Sequence, residues 1–237
     1  MSADGFEITH VERSKESARA AYDNLSKWYD LLAGSSEKKF ADIGLQKLNV
    51  KASEKILEIG FGTGGSLVSF VQLVGRTGKV YGVDLSTGMF RVAQSKLKKN
   101  GILSRVELQC ADAAHLPYPD NLFDAVFMSF VLELFDTPEL PLVLQECKRV
   151  LQDNGRIGVV ALSKKEKLSV RLYEWFHMRF PAYVDCRPIF VRETIEQAGF
   201  KIMDATEMVM WGLPVEVVVA QKTNSAANER VDCQDFS

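Results

Sequence analysis

The sequence predicts an α/β fold built on a mostly parallel sheet, and three observations predict it. The stretch Lys55-Ile-Leu-Glu-Ile-Gly-Phe-Gly-Thr-Gly-Gly65 passes from an apolar strand through a glycine turn into helical spacing at Leu67, Phe70, Val71 and Val74. Apolar strand-like segments then alternate with helical ones, the order that gives parallel strands joined by crossover helices. Two last strands, Phe200 to Val209 and Val215 to Ala220, are separated only by Trp211-Gly-Leu-Pro214. That is too short for a crossover, so one strand must run antiparallel to the rest.

The chain has 237 residues and is 46% hydrophobic, enough for one well-buried domain. Its net charge is −2 with Lys and Arg scattered, which argues against a nucleic-acid partner. No apolar run approaches the roughly 20 residues that cross a bilayer. The start, Met1-Ser-Ala-Asp-Gly-Phe-Glu7, lacks the basic and apolar regions of a signal peptide. Cys110, Cys147, Cys186 and Cys233 are far apart, against both a zinc site and a disulfide framework. The expectation is a cytoplasmic enzyme or binding protein, monomer or homodimer, with no metal.

In chain order, residues 1–15 are polar. Glu16 to Leu32 has helical spacing and carries Tyr22-Asp23 and Tyr29-Asp30, seven residues apart and so on one helix face. This doublet either packs the helix onto the domain or brings Tyr29 to a ligand, as part of an N-terminal helical lid over residues 1–50. A second helix, about Glu37 to Leu48, leads into the strand at Lys55. In the turn that follows, Gly60 permits a sharp exit from the strand, Gly62 lets a ligand approach the backbone, and Gly64 or Gly65 lets the helix start pack against the strand. Gly60, Gly62 and Gly65 fit the dinucleotide pattern, which is weak on its own. Glu58 decides its sense: a carboxylate buried at a strand end repels a pyrophosphate and welcomes a cation.

Lys79-Val-Tyr-Gly-Val-Asp84 is the next strand. Asp84, 24 residues past Gly60, stands where an acid accepts ribose hydroxyls; the alternative is a cap on the helix starting at Ser86-Thr87. That helix carries Met89, Val92, Ala93 and Leu97 and stops at Asn100-Gly101. Arg105 to Asp112 reads as a strand at a sheet edge, followed by His115 on a loop. Asn121 to Ser129 is the fourth strand, with Ser129 and Phe130 at its end. Glu133 follows, either a proton acceptor or, the favoured reading, a helix-start charge facing water. Pro138 to Leu151 is a helix, and Arg156 to Leu162 the fifth strand after the turn Asp153-Asn-Gly155. Phe190 to Ala198 is the last helix. The core spans residues 51–222, and residues 223–237 read as a loose tail.

Residues 163–190 are the least generic piece. Trp175, Phe176, His177, Phe180 and Tyr183 crowd together after the fifth strand. They are either core or a cap over an acceptor pocket.

These motifs resemble the class I S-adenosylmethionine-dependent methyltransferases. Glu58-Ile-Gly-Phe-Gly-Thr-Gly64 matches the first motif, (D/E)-x-G-x-G-x-G, and Pro119-Asp-Asn-Leu-Phe-Asp124 matches P-(D/E)-x-x-F-D. Tyr22-Asp-Asn-Leu-Ser-Lys-Trp-Tyr-Asp30 matches the tyrosine-aspartate doublet. Over about Tyr22 to Lys222 the resemblance is to the ubiquinone/menaquinone C-methyltransferase-like group (methyltransferase type 11). It implies a Rossmann-like sheet of seven strands, one antiparallel, with helices on both faces. It implies S-adenosylmethionine as cofactor, S-adenosylhomocysteine as product and a small-molecule acceptor. Glu58, Gly60, Gly62, Gly64 and Tyr29 would hold the cofactor, Asp84 its ribose, Leu85 and Met89 the adenine faces. Asp112 would take the adenine amino group and the Ala113 N–H would reach a ring nitrogen; Ser129 and Phe130 would meet the methionine end. Where relatives carry a histidine pair, Val131-Leu-Glu-Leu-Phe135 stands here.

The implied reaction is in-line methyl transfer, which asks the protein chiefly to position the acceptor and exclude water. If the acceptor must lose a proton, His177 leads as base, with Glu133 and His115 behind. Tyr22, Trp175, His177, Tyr183 and Trp211 are the candidate acceptor contacts, favouring a quinone-like, aromatic or lipid-related compound. Two rivals are a cofactor-binding partner protein without its own activity and a nicotinamide-dependent oxidoreductase, the latter opposed by Glu58 and the terminal hairpin.

Overall fold

The computed structural model describes Asp23, residues 34–164 and residues 187–223. Seven strands form one sheet in the order β3-β2-β1-β4-β5-β7-β6. They are β1 (Lys55–Ile59), β2 (Lys79–Asp84), β3 (Val106–Cys110), β4 (Phe123–Ser129), β5 (Leu151–Leu162), β6 (Phe200–Met210) and β7 (Leu213–Lys222). The pairs among β1 to β5 are parallel. β7 is antiparallel to both its neighbours, β5 and β6, so it is the one antiparallel strand the short terminal connection requires.

β1 and β4 are apolar almost throughout because helices cover both faces of the sheet. Alternate side chains along a strand point to opposite faces. Leu57, Ile59, Val126 and Met128 join one apolar cluster with helices α4 (Leu140–Val150) and α5 (Val191–Gln197). Ile56, Ala125, Phe127 and Val160 join another with α1 (Gly34–Leu48), α2 (Gly65–Leu73) and α3 (Thr87–Lys99). The described end of the 1–50 stretch is thus sheet-packed: Phe40, Leu45 and Leu48 of α1 lie in the second cluster. Gly44 permits the close approach, since a Cβ there would stand 2.6 Å from Val160 Cγ2 and 3.0 Å from Phe127.

Two turns differ from the sequence expectation. β5 begins at Leu151, ahead of the expected Arg156. The Asp153-Asn-Gly155 turn is a bulge inside the strand: the register jumps from Phe123↔Leu151 to Ala125↔Arg156, with Asn154 at φ 63°. The terminal connection is two residues, Trp211 (φ 51°) and Gly212 (φ 83°). Two positive φ values give the turn whose twist suits a hairpin. Leu213 and Pro214 therefore belong to β7, and Pro214 O accepts the Ser163 N–H at 2.9 Å.

From β1 the chain steps out to β2 and β3, then returns to place β4 on the other side. Ligands of open α/β sheets bind outside the carboxyl ends at such a reversal. That edge carries Glu58 to Gly60, Asp84, Ser129 and Phe130. β6 runs in the same direction as β1 to β5, so the Trp211 hairpin stands at this edge too. The expected contacts Tyr22, Tyr29, Trp175, His177 and Tyr183 lie outside the described residues.

Candidate active site

The glycine turn after β1 is shaped by three different constraints. Gly60 (φ 67°) donates its N–H to Val83 O at 2.7 Å, and a Cβ there would lie 2.3 Å from Val131 Cγ2. Gly62 (φ 51°) faces open space, with no atom within 4 Å of a would-be Cβ. Gly64 (φ 79°) precedes α2, and its Cβ would stand 3.0 Å from Ala93 Cβ. The sequence reading gave Gly64 or Gly65 the packing of helix on strand. The structure gives Gly64 the approach of α3, and a Cβ on Gly65 would meet nothing.

Glu58 is 3% exposed. Ser66 hydrogen-bonds its carboxyl, while Oε2 is buried without a partner. Burial holds this carboxyl well above the usual range; the Ser66 bond works against that and the nearby Asp84 adds to it. Asp84 closes β2. Its Oδ2 accepts the Gly62 N–H at 2.9 Å and its Oδ1 the Ser86 N–H at 2.9 Å. Burial raises this carboxyl, and the two amides partly offset it. The helix cap is Ser86, whose Oγ accepts the Met89 N–H at 3.0 Å; Asp84 ties that turn to the glycine turn. Each carboxylate oxygen takes more than one donor, so Asp84 keeps acceptor capacity.

Asp23 reaches the same turn from the N-terminal segment. It accepts from Ser86 Oγ (2.6 Å), Thr87 Oγ1 (3.1 Å) and the Gly88 N–H (2.7 Å). This is a helix cap supplied from 65 residues away. Leu85 beside it is half-buried, and Met89 is buried yet in neither apolar cluster.

Asp112 lies just past β3, linked to Asp84 through the Ala111 N–H to Asp84 O bond of 3.1 Å. Its Oδ1 accepts the Ala114 N–H at 3.0 Å, and Ala113 is buried. The His115 side chain is exposed, with Nδ1 3.8 Å from Asp112 Oδ2. At the end of β4, Phe130 holds φ 55°, an uncommon value for a side-chain-bearing residue. Its N–H donates to Val160 O at 2.7 Å and its ring meets Phe40 edge-on at 6.3 Å.

Glu133 corrects the sequence expectation of a water-facing charge. It is 0% exposed, on a 3₁₀ turn (Leu132–Leu134). Its Oε1 accepts the Leu162 N–H at 3.1 Å and Oε2 is buried without a partner. Burial raises its carboxyl to about 8; the amide bonds lower it and Glu37 raises it further. The turn is too short to show a helical face in sequence, and the partner amide comes from another strand. Trp211 is 71% exposed at the hairpin tip.

The structure bonds Gly62 to Asp84, sets Glu58 and Gly60 on the same turn and Asp112 next to the strand end that Asp84 closes, and leaves the His115 and Trp211 side chains exposed. Sequence reasoning missed Ser66, Asp23 and Arg187. Asp23 sat inside the tyrosine-aspartate doublet, read only for its tyrosines. Arg187 is buried; its Nη2 donates to Phe135 O at 2.5 Å and its Nη1 to Thr137 Oγ1 at 2.9 Å, which fixes the loop after β4. Among the described residues no cluster of His, Cys, Asp or Glu is arranged for a metal, and no helix is long and apolar enough to cross a membrane.

A family profile described as "Methyltransferase domain" matches residues 56–155, which run from β1 into the β5 bulge. The chain is 30% identical over 166 residues to "Ubiquinone/menaquinone biosynthesis C-methyltransferase UbiE" of Teredinibacter turnerae, covering 68% of this chain and 66% of that one. It is 30% identical over 170 residues to "Demethylmenaquinone methyltransferase" of Oceanobacillus iheyensis, covering 70% of each. A solved S-adenosylmethionine-dependent methyltransferase from Aquifex aeolicus superposes with a TM-score of 0.61 at 24% identity, over 86% of this chain and 98% of that one, a likeness of fold.

The cofactor this implies fits the residues present. The orphaned, buried Glu58 oxygen suits a cationic group. The space above Gly62 admits a ligand to the backbone, and Asp84 retains lone pairs for hydroxyl donors. The chain belongs to the class I S-adenosylmethionine-dependent methyltransferases and resembles the ubiquinone/menaquinone C-methyltransferase-like group.

Proposed function

We propose that the chain transfers a methyl group to a ring carbon of a reduced, quinol-like aromatic acceptor. The observation that carries this reading is the 30% identity, over most of the chain, to enzymes named for menaquinone and ubiquinone methylation. The bound cofactor supplies an electrophilic methyl carbon on a positively charged sulfur. The protein's part is to hold that charge and aim an acceptor at it. A cationic group beside Glu58, at the foot of the glycine turn, would favour its carboxylate form against the burial that raises it. Gly60, Gly62 and Gly64 leave the backbone open to the methionine end, with Ser129 and Phe130 beside it. Asp84 takes the ribose hydroxyls, Leu85 and Met89 flank the adenine, and Asp112 with the Ala113 N–H reads its edge.

The acceptor would enter over the same sheet edge, between the end of β4 and the hairpin bearing Trp211. Tyr22, Tyr29, Trp175, His177 and Tyr183 would complete the lid and cap there, over residues 1–50 and 163–190. A flat apolar ring suits aromatic contacts of that kind. Purified protein given S-adenosylmethionine and 1,4-dihydroxynaphthalene under anaerobic reduction should yield a product heavier by one methylene, with the new methyl group on carbon. Methylation on oxygen, or of an amine probe in preference, would reject the quinol reading.

A further inference from the structure

The loop after β4 holds a carboxyl group that the fold does not use up. Glu133 lies three residues past Phe130, on the turn whose Val131 packs onto Gly60; a Cβ on Gly60 would meet Val131 Cγ2 at 2.3 Å. The turn is fixed from two sides. Glu133 Oε1 accepts the Leu162 N–H at the carboxyl end of β5, and Arg187 holds Phe135 O and Thr137 Oγ1. The other oxygen, Oε2, is fully buried and has no hydrogen-bond partner. An orphaned buried polar atom is costly, and a carboxyl kept only to hold the Leu162 amide would do so equally as a glutamine. β4 and β5 are consecutive in the sheet, and β4 pairs β1 next to the glycine turn. The turn that carries Glu133 therefore stands at the carboxyl edge, where the acceptor must enter.

We infer that Glu133 is the catalytic base that takes the acceptor's proton through Oε2. This rests on the reading of a hydroxyl-bearing aromatic acceptor and names the group that activates it. The acceptor's O–H proton passes to Oε2 as its ring carbon bonds the methyl carbon. The carbon–sulfur bond breaks with its electron pair going to sulfur. A sulfonium and a carboxylate become a neutral thioether and a neutral carboxylic acid, so charge balances. The methylated ring then regains aromaticity by moving its ring hydrogen to oxygen, and Glu133 returns its proton to water. Among charged groups, Glu37 of α1 favours the protonated form of Glu133; Arg187, from the segment before α5, holds the far end of the same loop, with Asp136 beside it. A base held near neutrality by burial has the proton affinity this step needs.

The test pairs turnover with a binding signal that needs no turnover. With S-adenosylhomocysteine in the site, 1-naphthol is titrated spectrally in wild-type protein and in Glu133→Gln. Glu133, ionised by then, disfavours a second negative charge beside it, so wild-type protein should ionise the bound naphthol at a pH at least one unit above the free compound, and the variant should shrink that shift. The variant should bind S-adenosylhomocysteine within about twofold, yet transfer methyl to 1,4-dihydroxynaphthalene about 100-fold or more slowly. An unshifted naphthol in wild-type protein overturns the inference even if the variant fails to fold. So does a variant that turns over within about threefold with an unchanged pH profile. If wild-type protein binds the cofactor but methylates neither this acceptor nor amine and thiol probes, the acceptor reading falls and the inference with it, a result unlike an active, indifferent variant.

Discussion

The Asp84 carboxylate accepts the Gly62 amide at 2.9 Å, tying the end of β2 to the glycine turn of β1. Its other oxygen accepts the Ser86 amide, so one side chain holds the turns after β1 and β2 together. An acid at this position in sequence suggests a ribose ligand. The structure adds that the same acid sets the shape of the turn before any ligand arrives.

Asp84→Asn should therefore weaken binding and loosen the turn together. The amide retains one acceptor oxygen and turns a donor toward the other backbone N–H. Hydrogen bonds to a charged group are worth about 1.5–3 kcal/mol, so affinity for S-adenosylhomocysteine should fall roughly tenfold or more by calorimetry. An unchanged dissociation constant would remove Asp84 from the cofactor site.

Gly60 and Gly62 have similar backbone angles and should respond in opposite ways to alanine. At Gly60 the added methyl collides with Val131 at 2.3 Å. Overpacking added to left-handed strain should cost at least about 3 kcal/mol of stability. At Gly62 the methyl meets no atom, so only the backbone strain of about 1–2 kcal/mol remains. Gly62→Ala should fold and yet bind S-adenosylhomocysteine at least tenfold more weakly, because the methyl fills ligand space. Thermal unfolding with and without that ligand reads both effects; full ligand stabilisation of Gly62→Ala would show the space serves something else.

Asp23 caps α3 from the N-terminal segment, and removing it should be felt at the far side of the contact. Asp23→Ala loses the acceptor of the Gly88 amide and of two hydroxyls. The expected loss is about 1 kcal/mol. Amide hydrogen exchange should accelerate at Gly88, and cofactor affinity should drop modestly because Ser86 also serves Asp84. Protection of Gly88 equal to wild type would show that the contact has no hold on the turn.

What was legible in the sequence follows from how local each signal is. Strand periodicity, the glycines at 60 to 65 and the short terminal hairpin are encoded within a few residues, and they gave the sheet and the cofactor turn. The bulge in β5 was not legible: Asp153-Asn-Gly155 is turn chemistry locally, and only pairing with β4 shows that Leu151 already belongs to the strand. Gly44 within a helix looks like a weakness until Val160 and Phe127 press against it. Asp23 and Arg187 act through contacts 65 and 52 residues away, which no window of sequence contains.

Glu133 should leave its mark on stability as well as on catalysis. Burial raises its carboxyl to about 8, while in the unfolded chain it titrates in the ordinary glutamate range. Below that range both states hold the proton and the burial is tolerated. Between there and about pH 8 the unfolded chain releases a proton that the folded protein keeps, so stability falls as pH rises and levels off above it. Glu133→Gln keeps the shape and the Leu162 contact but cannot ionise. It should match wild type near pH 5 and be more stable at pH 8.5, by on the order of 3 kcal/mol. Glu58, raised by the same cause, remains in both proteins, so the comparison isolates Glu133. Denaturant midpoints at the two pH values measure the difference; parallel curves would mean that Glu133 is solvated and its orphaned oxygen is met by water.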